Sequence, residues 1–231
     1  MSEFEQNINF ERSQDHKMKR VVRFGPETLT KAASLIVDGG VVAYPTDTVY
    51  GLGCDPLNSQ AIRKLVRAKK RQIGQLPVLV DSIGRAAEVG RFDSPAFQLA
   101  SQFWPGPLTI VVHSRIRLPN LVTGPSGKVG LRIPCHEVAI KLVRACGGAL
   151  VGTSANLTGN PSLTLARDVR KELGKEVDLV LDDEQTGSGI ESTVVSIDNG
   201  NLSVLREKSI MEERIRSAIR VPTRVSAQSN G

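Results

Sequence analysis

Val41-Val42-Ala43-Tyr44-Pro45-Thr46-Asp47-Thr48-Val49-Tyr50-Gly51-Leu52-Gly53 changes character sharply at its proline. Val41–Tyr44 is a short apolar run of strand type, and Pro45 ends it because proline cannot donate to a sheet ladder. Beyond it two threonine hydroxyls flank the Asp47 carboxylate, and the following glycines let backbone approach a ligand. In α/β sheets, ligands gather in such loops, outside the carboxyl ends of strands. The same residues also read as a capped turn in which Thr46 and Asp47 satisfy local backbone groups.

The pattern extends in both directions. Val21–Phe24 is strand-like, and Pro26 opens a segment with Leu29, Ala32, Ala33 and Ile36 at helical spacing, stopped by Gly39-Gly40. Downstream, Ser59 is placed to cap a helix carrying Ile62, Leu65 and Val66, and Pro77–Val80 reads as a buried strand. Ser94-Pro95 opens a helix that ends near Trp104-Pro105-Gly106-Pro107, ahead of strands over Leu108–His113 and Val129–Ile133. A helix over His136–Ala145, a strand over Ala149–Gly152, a helix over Leu165–Leu173 and a strand over Val177–Leu181 follow. Ser192–Ile197 and Asn201–Leu205 bracket Asp198-Asn199-Gly200, a hairpin signal. This alternation predicts a single α/β domain over residues 20–208, a twisted mixed sheet flanked by helices. Residues 1–19 are polar and aperiodic, as a disordered arm is, and residues 209–231 read as a short helix and a flexible tail.

Composition narrows the function classes. With 40% hydrophobic but only 4% aromatic residues, the core must rest on Val, Leu, Ile and Ala. So few rings also argue against a row of stacked bases. No apolar run approaches the ~20 residues a membrane helix needs, and the N-terminus has no signal-like stretch, so a cytoplasmic protein is expected. Cys54, Cys135 and Cys146 are an odd number without a CxxC pair, and His16, His113 and His136 have no ligand spacing. Neither a disulfide framework nor a metal site is expected. The net charge of +6 favours polyanionic partners such as nucleotides, phosphates or RNA.

Two further segments are polar beyond what a fold needs. Ala68-Lys69-Lys70-Arg71 ends the Ser59 helix, where cations gain roughly 0.3–1 kcal/mol from the helix dipole. As a phosphate clamp, Arg71 would supply a fixed fork and Lys69 a point charge. Gly152-Thr153-Ser154-Ala155-Asn156-Leu157-Thr158-Gly159 offers a hydroxyl and an amide two residues apart after an apolar strand. It reads equally as an Asx or ST turn leading to Pro161. The P-loop pattern GxxxxGK[ST] is absent, Gly187-Ser188-Gly189 lacks the third glycine of a dinucleotide fingerprint, and no serine sits in a GxSxG elbow.

In order along the chain, these segments resemble the YrdC-like family, the threonylcarbamoyl-AMP (L-threonylcarbamoyladenylate) synthases. The resemblance runs from Val21 to Arg206. The loop YPT[DE]TVYGLG stands at Tyr44–Gly53 and KxR at Lys69-Lys70-Arg71. PGPxT is Pro105-Gly106-Pro107-Leu108-Thr109, RxP is Arg132-Ile133-Pro134, SAN is Ser154-Ala155-Asn156, and STV[VI] is Ser192–Val195. The chain departs from the family at Gln72, where the pattern has proline, and at Glu207-Lys208, where it often has Pro-Gly. It is similar to the short form, without the extra C-terminal domain of longer members.

The resemblance implies a nucleotidyltransferase with a basic concave face. Its substrates are L-threonine, bicarbonate and ATP with Mg²⁺; its products are threonylcarbamoyl-AMP and pyrophosphate. It implies Lys69, Arg71, Asn156 and Arg206 on the ATP side, and Thr48, Arg132, Ser154 and Ser192 around threonine, with Arg132 on the carboxylate. No residue is expected as a general acid or base, since positioning and charge stabilisation dominate such chemistry. The implied partners are tRNA-modification proteins that accept the adenylate. An RNA-binding module using the same basic concavity is the alternative. A carbamoyl-transfer domain of hydrogenase-maturation type is disfavoured, because those carry zinc-finger and acylphosphatase modules.

Overall fold

In the computed structural model, which describes residues 21–70, 75–183 and 187–219, the strands divide between two mixed sheets. The first contains β1 (Val21–Arg23), β2 (Val42–Tyr44), β3 (Gly51–Gly53), β8 (Thr153–Ser154) and β9 (Leu179–Asp182), in the order β1-β9-β2-β3-β8. The second contains β4 (Val78–Val80), β5 (Leu108–His113), β6 (Lys128–Arg132), β7 (Ala149–Val151), β10 (Thr193–Asp198) and β11 (Asn201–Arg206), in the order β11-β10-β5-β6-β4-β7. The α/β class and mixed pairing match expectation, but the expected single sheet is two.

The reason lies at Gly152. β7 pairs with β4, while β8, one residue later, pairs with β3, so a single run of chain leaves one sheet and enters the other. A Cβ at Gly152 would lie 2.5 Å from Leu79 Cγ, so only glycine fits the crossing. Gly51-Leu52-Gly53, without a β-branched residue, has the pattern of a loop, yet its pairing to both β2 and β8 makes it the strand β3.

The helices are α1 (Pro26–Val37), α2 (Ser59–Ala68), α3 (Ile83–Val89), α4 (Ser94–Phe103), α5 (Asn120–Thr123), α6 (Glu137–Ala145), α7 (Ala166–Leu173) and α8 (Glu212–Ser217). Ser59 is the first helical residue of α2 rather than its cap. Asn58 caps it, its Oδ1 accepting from the Gln60 and Ala61 amides at 3.0 and 3.1 Å, an arrangement worth ~1 kcal/mol. His136 likewise precedes α6 and accepts from the Val138 amide at 3.3 Å. Helices α3 and α5 were not anticipated; both are short.

Two apolar cores result, rich in Val, Leu, Ile and Ala. One packs α1 and α6 together against Val42, Tyr44, Leu150 and Leu179. The larger includes Tyr50, Leu52, Leu99, Leu108, Ile110 and Leu131. Among the described residues no helix is long and apolar enough to cross a membrane. The expected N-terminal arm, Arg71, Gln72 and most of the expected tail lie outside the described residues.

Candidate active-site cleft

A cleft of about 290 Å³ opens where the two sheets meet. Four features of the fold deliver its walls. β3 against β8 sets Gly51 opposite Ser154, which brings the loop at Thr46–Tyr50 beside the Ser154–Asn156 segment. β6 ends at Arg132. β5 and β10 run parallel, so Thr109 near the start of one meets Ser192, just before the other, with their hydroxyls 3.0 Å apart. β11 returns antiparallel to β10 and ends at Arg206.

The first loop is internally wired. The Thr46 hydroxyl donates to the Val49 carbonyl at 2.6 Å and accepts from the Thr48 amide at 3.2 Å. Its donor capacity is thereby used, so across the 3.0 Å gap to Thr48 Oγ1 it is the Thr48 hydroxyl that donates. Thr48 Oγ1 in turn accepts from Arg132 Nη1 at 3.1 Å. One directed chain thus runs from Arg132 through both threonines to backbone.

Arg132 is nearly buried and held on three sides. Besides Thr48, its Nε donates to the Gly106 carbonyl at 2.9 Å and its Nη2 to Asp47 Oδ1 at 2.5 Å. Pro105-Gly106-Pro107 therefore serves to aim a carbonyl; the Gly106 amide also donates to Ile133 at 2.9 Å, which fixes it against the end of β6. A second strap lies over the loop. The amides of Gly187, Ser188 and Gly189 donate to the carbonyls of Thr46, Asp47 and Thr48 at 3.0, 3.2 and 2.8 Å.

Arg206 occupies the rim. Its Nη2 and Nε donate to the Ser192 carbonyl at 2.9 and 3.2 Å, and Nη1 pairs with Glu191 Oε2 at 3.0 Å. Glu191 Oε1 accepts from the Ser162 hydroxyl at 2.8 Å. Arg132 and Arg206, both lining the cleft, are thus each met by a carboxylate.

Lys69 caps the C-terminal end of α2 and is only 3% exposed. Its ammonium donates to the carbonyl of Ser154, to the carbonyl of Asn156 at 2.8 Å and to Asn156 Oδ1 at 3.3 Å. The Thr158 amide returns a bond to the Lys69 carbonyl at 3.0 Å, and Asn156 Nδ2 donates to Asn160 at 2.7 Å. Tyr50, on the same side, donates to Asp182 Oδ1 at 3.3 Å. Burial, and then the Asp182 charge, hold its phenol well above the usual tyrosine range.

Of the eight residues singled out in the sequence, Thr48, Arg132, Ser154, Ser192 and Arg206 line the cleft. Lys69 and Asn156 lie behind it, bonded to each other, and Arg71 lies outside the described residues. Sequence reasoning gave no role to Thr109 or Glu191 and read Asp47 only as a loop carboxylate or turn residue, although each stands inside or next to a motif already quoted.

The family model described as telomere recombination, which carries the names Sua5, YciO and YrdC, matches residues 34–208. A threonylcarbamoyl-AMP synthase of Pyrococcus abyssi (strain GE5 / Orsay) is 34% identical over 199 residues, 81% of this chain and 56% of that protein. One from Bacillus subtilis (strain 168) is 35% identical over 200 residues, 83% of this chain and again 56% of the relative. The chain therefore spans little more than half the length of these two relatives. Among solved structures, P. abyssi Sua5 complexed with L-threonine superposes with a TM-score of 0.81 at 32% identity, covering 86% of this chain and 60% of that one.

Proposed function

This chain belongs to the Sua5/YciO/YrdC family, and we propose that residues 20–208 form a threonylcarbamoyl-AMP synthase unit. It makes threonylcarbamoyl-AMP and pyrophosphate from L-threonine, bicarbonate and ATP. The observation that carries this reading is the state of Arg132. Three of its five N–H donors are engaged. Arg132 lines the cleft together with Thr48, Ser154 and Ser192, so a guanidinium with two donors to spare stands among hydroxyls. Such a set suits the carboxylate of a small hydroxy amino acid. The similar P. abyssi protein is described as complexed with L-threonine.

In this reading threonine's amine and bicarbonate first give a carbamate with loss of water. A carbamate oxygen then forms a bond to the α-phosphorus of ATP while the bond to pyrophosphate breaks. The protein's part is placement: Arg132, Thr48, Ser154 and Ser192 hold the threonine end. Arg206 and Arg71 meet the phosphates, while Lys69 and Asn156 fix the loop between the two ends. Mg²⁺ enters, in this reading, as part of the nucleotide substrate. The proposed setting is the cytoplasm, with tRNA-modification proteins consuming the adenylate.

The test is incubation with ATP, bicarbonate and labelled L-threonine. Labelled adenylate and pyrophosphate that require all three components support the reading. No product under any combination overturns it, and salt-sensitive RNA binding without product would favour an RNA-binding module instead.

A further inference from the structure

Asp47 does not line the cleft; it stands behind Arg132. Their ion pair is close, 2.5 Å, and both side chains are largely buried, 13% and 8% exposed. The other Asp47 oxygen, Oδ2, is buried without any hydrogen-bond partner. A carboxylate with half its acceptor capacity unmet is not there to satisfy local backbone. It is held in place from behind, by the Gly187–Gly189 amides on the carbonyls of Thr46, Asp47 and Thr48. The contact is so close that a Cβ on Gly187 would fall 1.8 Å from the Asp47 carbonyl oxygen.

We infer that Asp47 is a positioning and specificity-determining residue that makes Arg132 a reader of one carboxylate rather than a general anion site. The inference rests on the proposed reading only for the identity of that carboxylate. Its physics is local. An unpaired guanidinium at the wall of a cleft attracts any anion, and the most highly charged anion in the proposed reaction is the triphosphate. Paired with Asp47 and anchored at Nε, Nη1 and Nη2, the guanidinium plane is fixed and carries little net charge. A ligand must then match the fork in shape, and a polyphosphate gains little by entering the wrong subsite. Arg132 keeps its other anchors, the Gly106 carbonyl and Thr48 Oγ1, but neither supplies charge.

The experiment uses inorganic sulfate as probe and needs no turnover. Calorimetric titration of the folded protein should show sulfate binding to Asp47→Asn at least about tenfold tighter than to wild type. Asp47→Glu, which keeps the carboxylate, should stay near wild type. Gly187→Ala, which displaces Asp47 through its backbone, should shift in the direction of Asp47→Asn, and it stands in for that variant if Asp47→Asn does not fold. In turnover, sulfate should compete with threonine in Asp47→Asn and not in wild type, while the KM for ATP stays within about twofold. Equal sulfate affinity in wild type and in the folded variants overturns the inference. Sulfate behaviour as expected, with no adenylate formed by wild type, leaves the inference standing and defeats the proposed function instead.

Discussion

The hydroxyl of Tyr44 donates to the carbonyl of Val151 across 3.2 Å, and so ties the five-stranded sheet to the six-stranded one behind the cleft. Gly53 packs into the same joint: a Cβ there would lie 2.6 Å from the Val151 oxygen and 2.8 Å from the Tyr44 ring. Tyr44→Phe should lower the unfolding free energy by about 1 kcal/mol, one buried hydrogen bond. Gly53→Ala should cost about 1–3 kcal/mol through overpacking. Urea denaturation of both variants checks the size and the order.

The protein's only tyrosines are Tyr44 and Tyr50, and burial raises both phenols above their usual range. The folded state therefore holds these protons more firmly than the unfolded state. Their contribution to stability is complete below the unfolded tyrosine value of about 10, and declines as pH rises beyond it. In a spectrophotometric titration, tyrosinate absorbance should appear only together with loss of far-ultraviolet circular dichroism. A reversible tyrosinate signal near pH 10 from folded protein would contradict this.

Lys69→Met keeps the bulk of the side chain but deprives the Ser154 and Asn156 acceptors of their ammonium donor. The expected cost is about 1–3 kcal/mol. If Lys69 acts by bracing the loop between the two ends of the proposed site, Lys69→Met should raise the KM values for ATP and threonine together. A change confined to ATP would assign it a direct phosphate contact.

How far the sequence carried the reading differs from residue to residue. Most strands and helices were legible from period and punctuation, because Pro26, Gly39-Gly40 and Asn199-Gly200 sit where elements start or stop. The division into two sheets was not, because it turns on Gly152 and Gly53, whose meaning is the space they leave for Leu79 and Tyr44. Thr48, Arg132 and Ser192 were found as motif residues. What they do together was hidden, since it depends on β5 lying between β6 and β10. Asp47 was in plain view but looked like turn chemistry, since its partner Arg132 is 85 residues away.

Arg132→Lys tests the fork itself. A lysine keeps the charge but cannot satisfy Gly106, Thr48 and Asp47 and still present two parallel donors. The KM for threonine should rise about 10- to 100-fold, the equivalent of about 1.5–3 kcal/mol, with the ATP value little changed. Steady-state kinetics with each substrate varied in turn decides it; an unchanged threonine KM would remove Arg132 from the carboxylate.

The place of β10 beside β5 has a consequence for how the chain comes to exist. It is the strand that covers one side of β5, and it is made about eighty residues later. During synthesis Leu108–Val112, apolar but for Thr109, waits with an open row of amides and carbonyls. Such an edge recruits strands from other molecules unless it is shielded. Chains truncated before Thr193 should accordingly collect in aggregates, and a newly made chain is exposed to that hazard until its last hairpin docks.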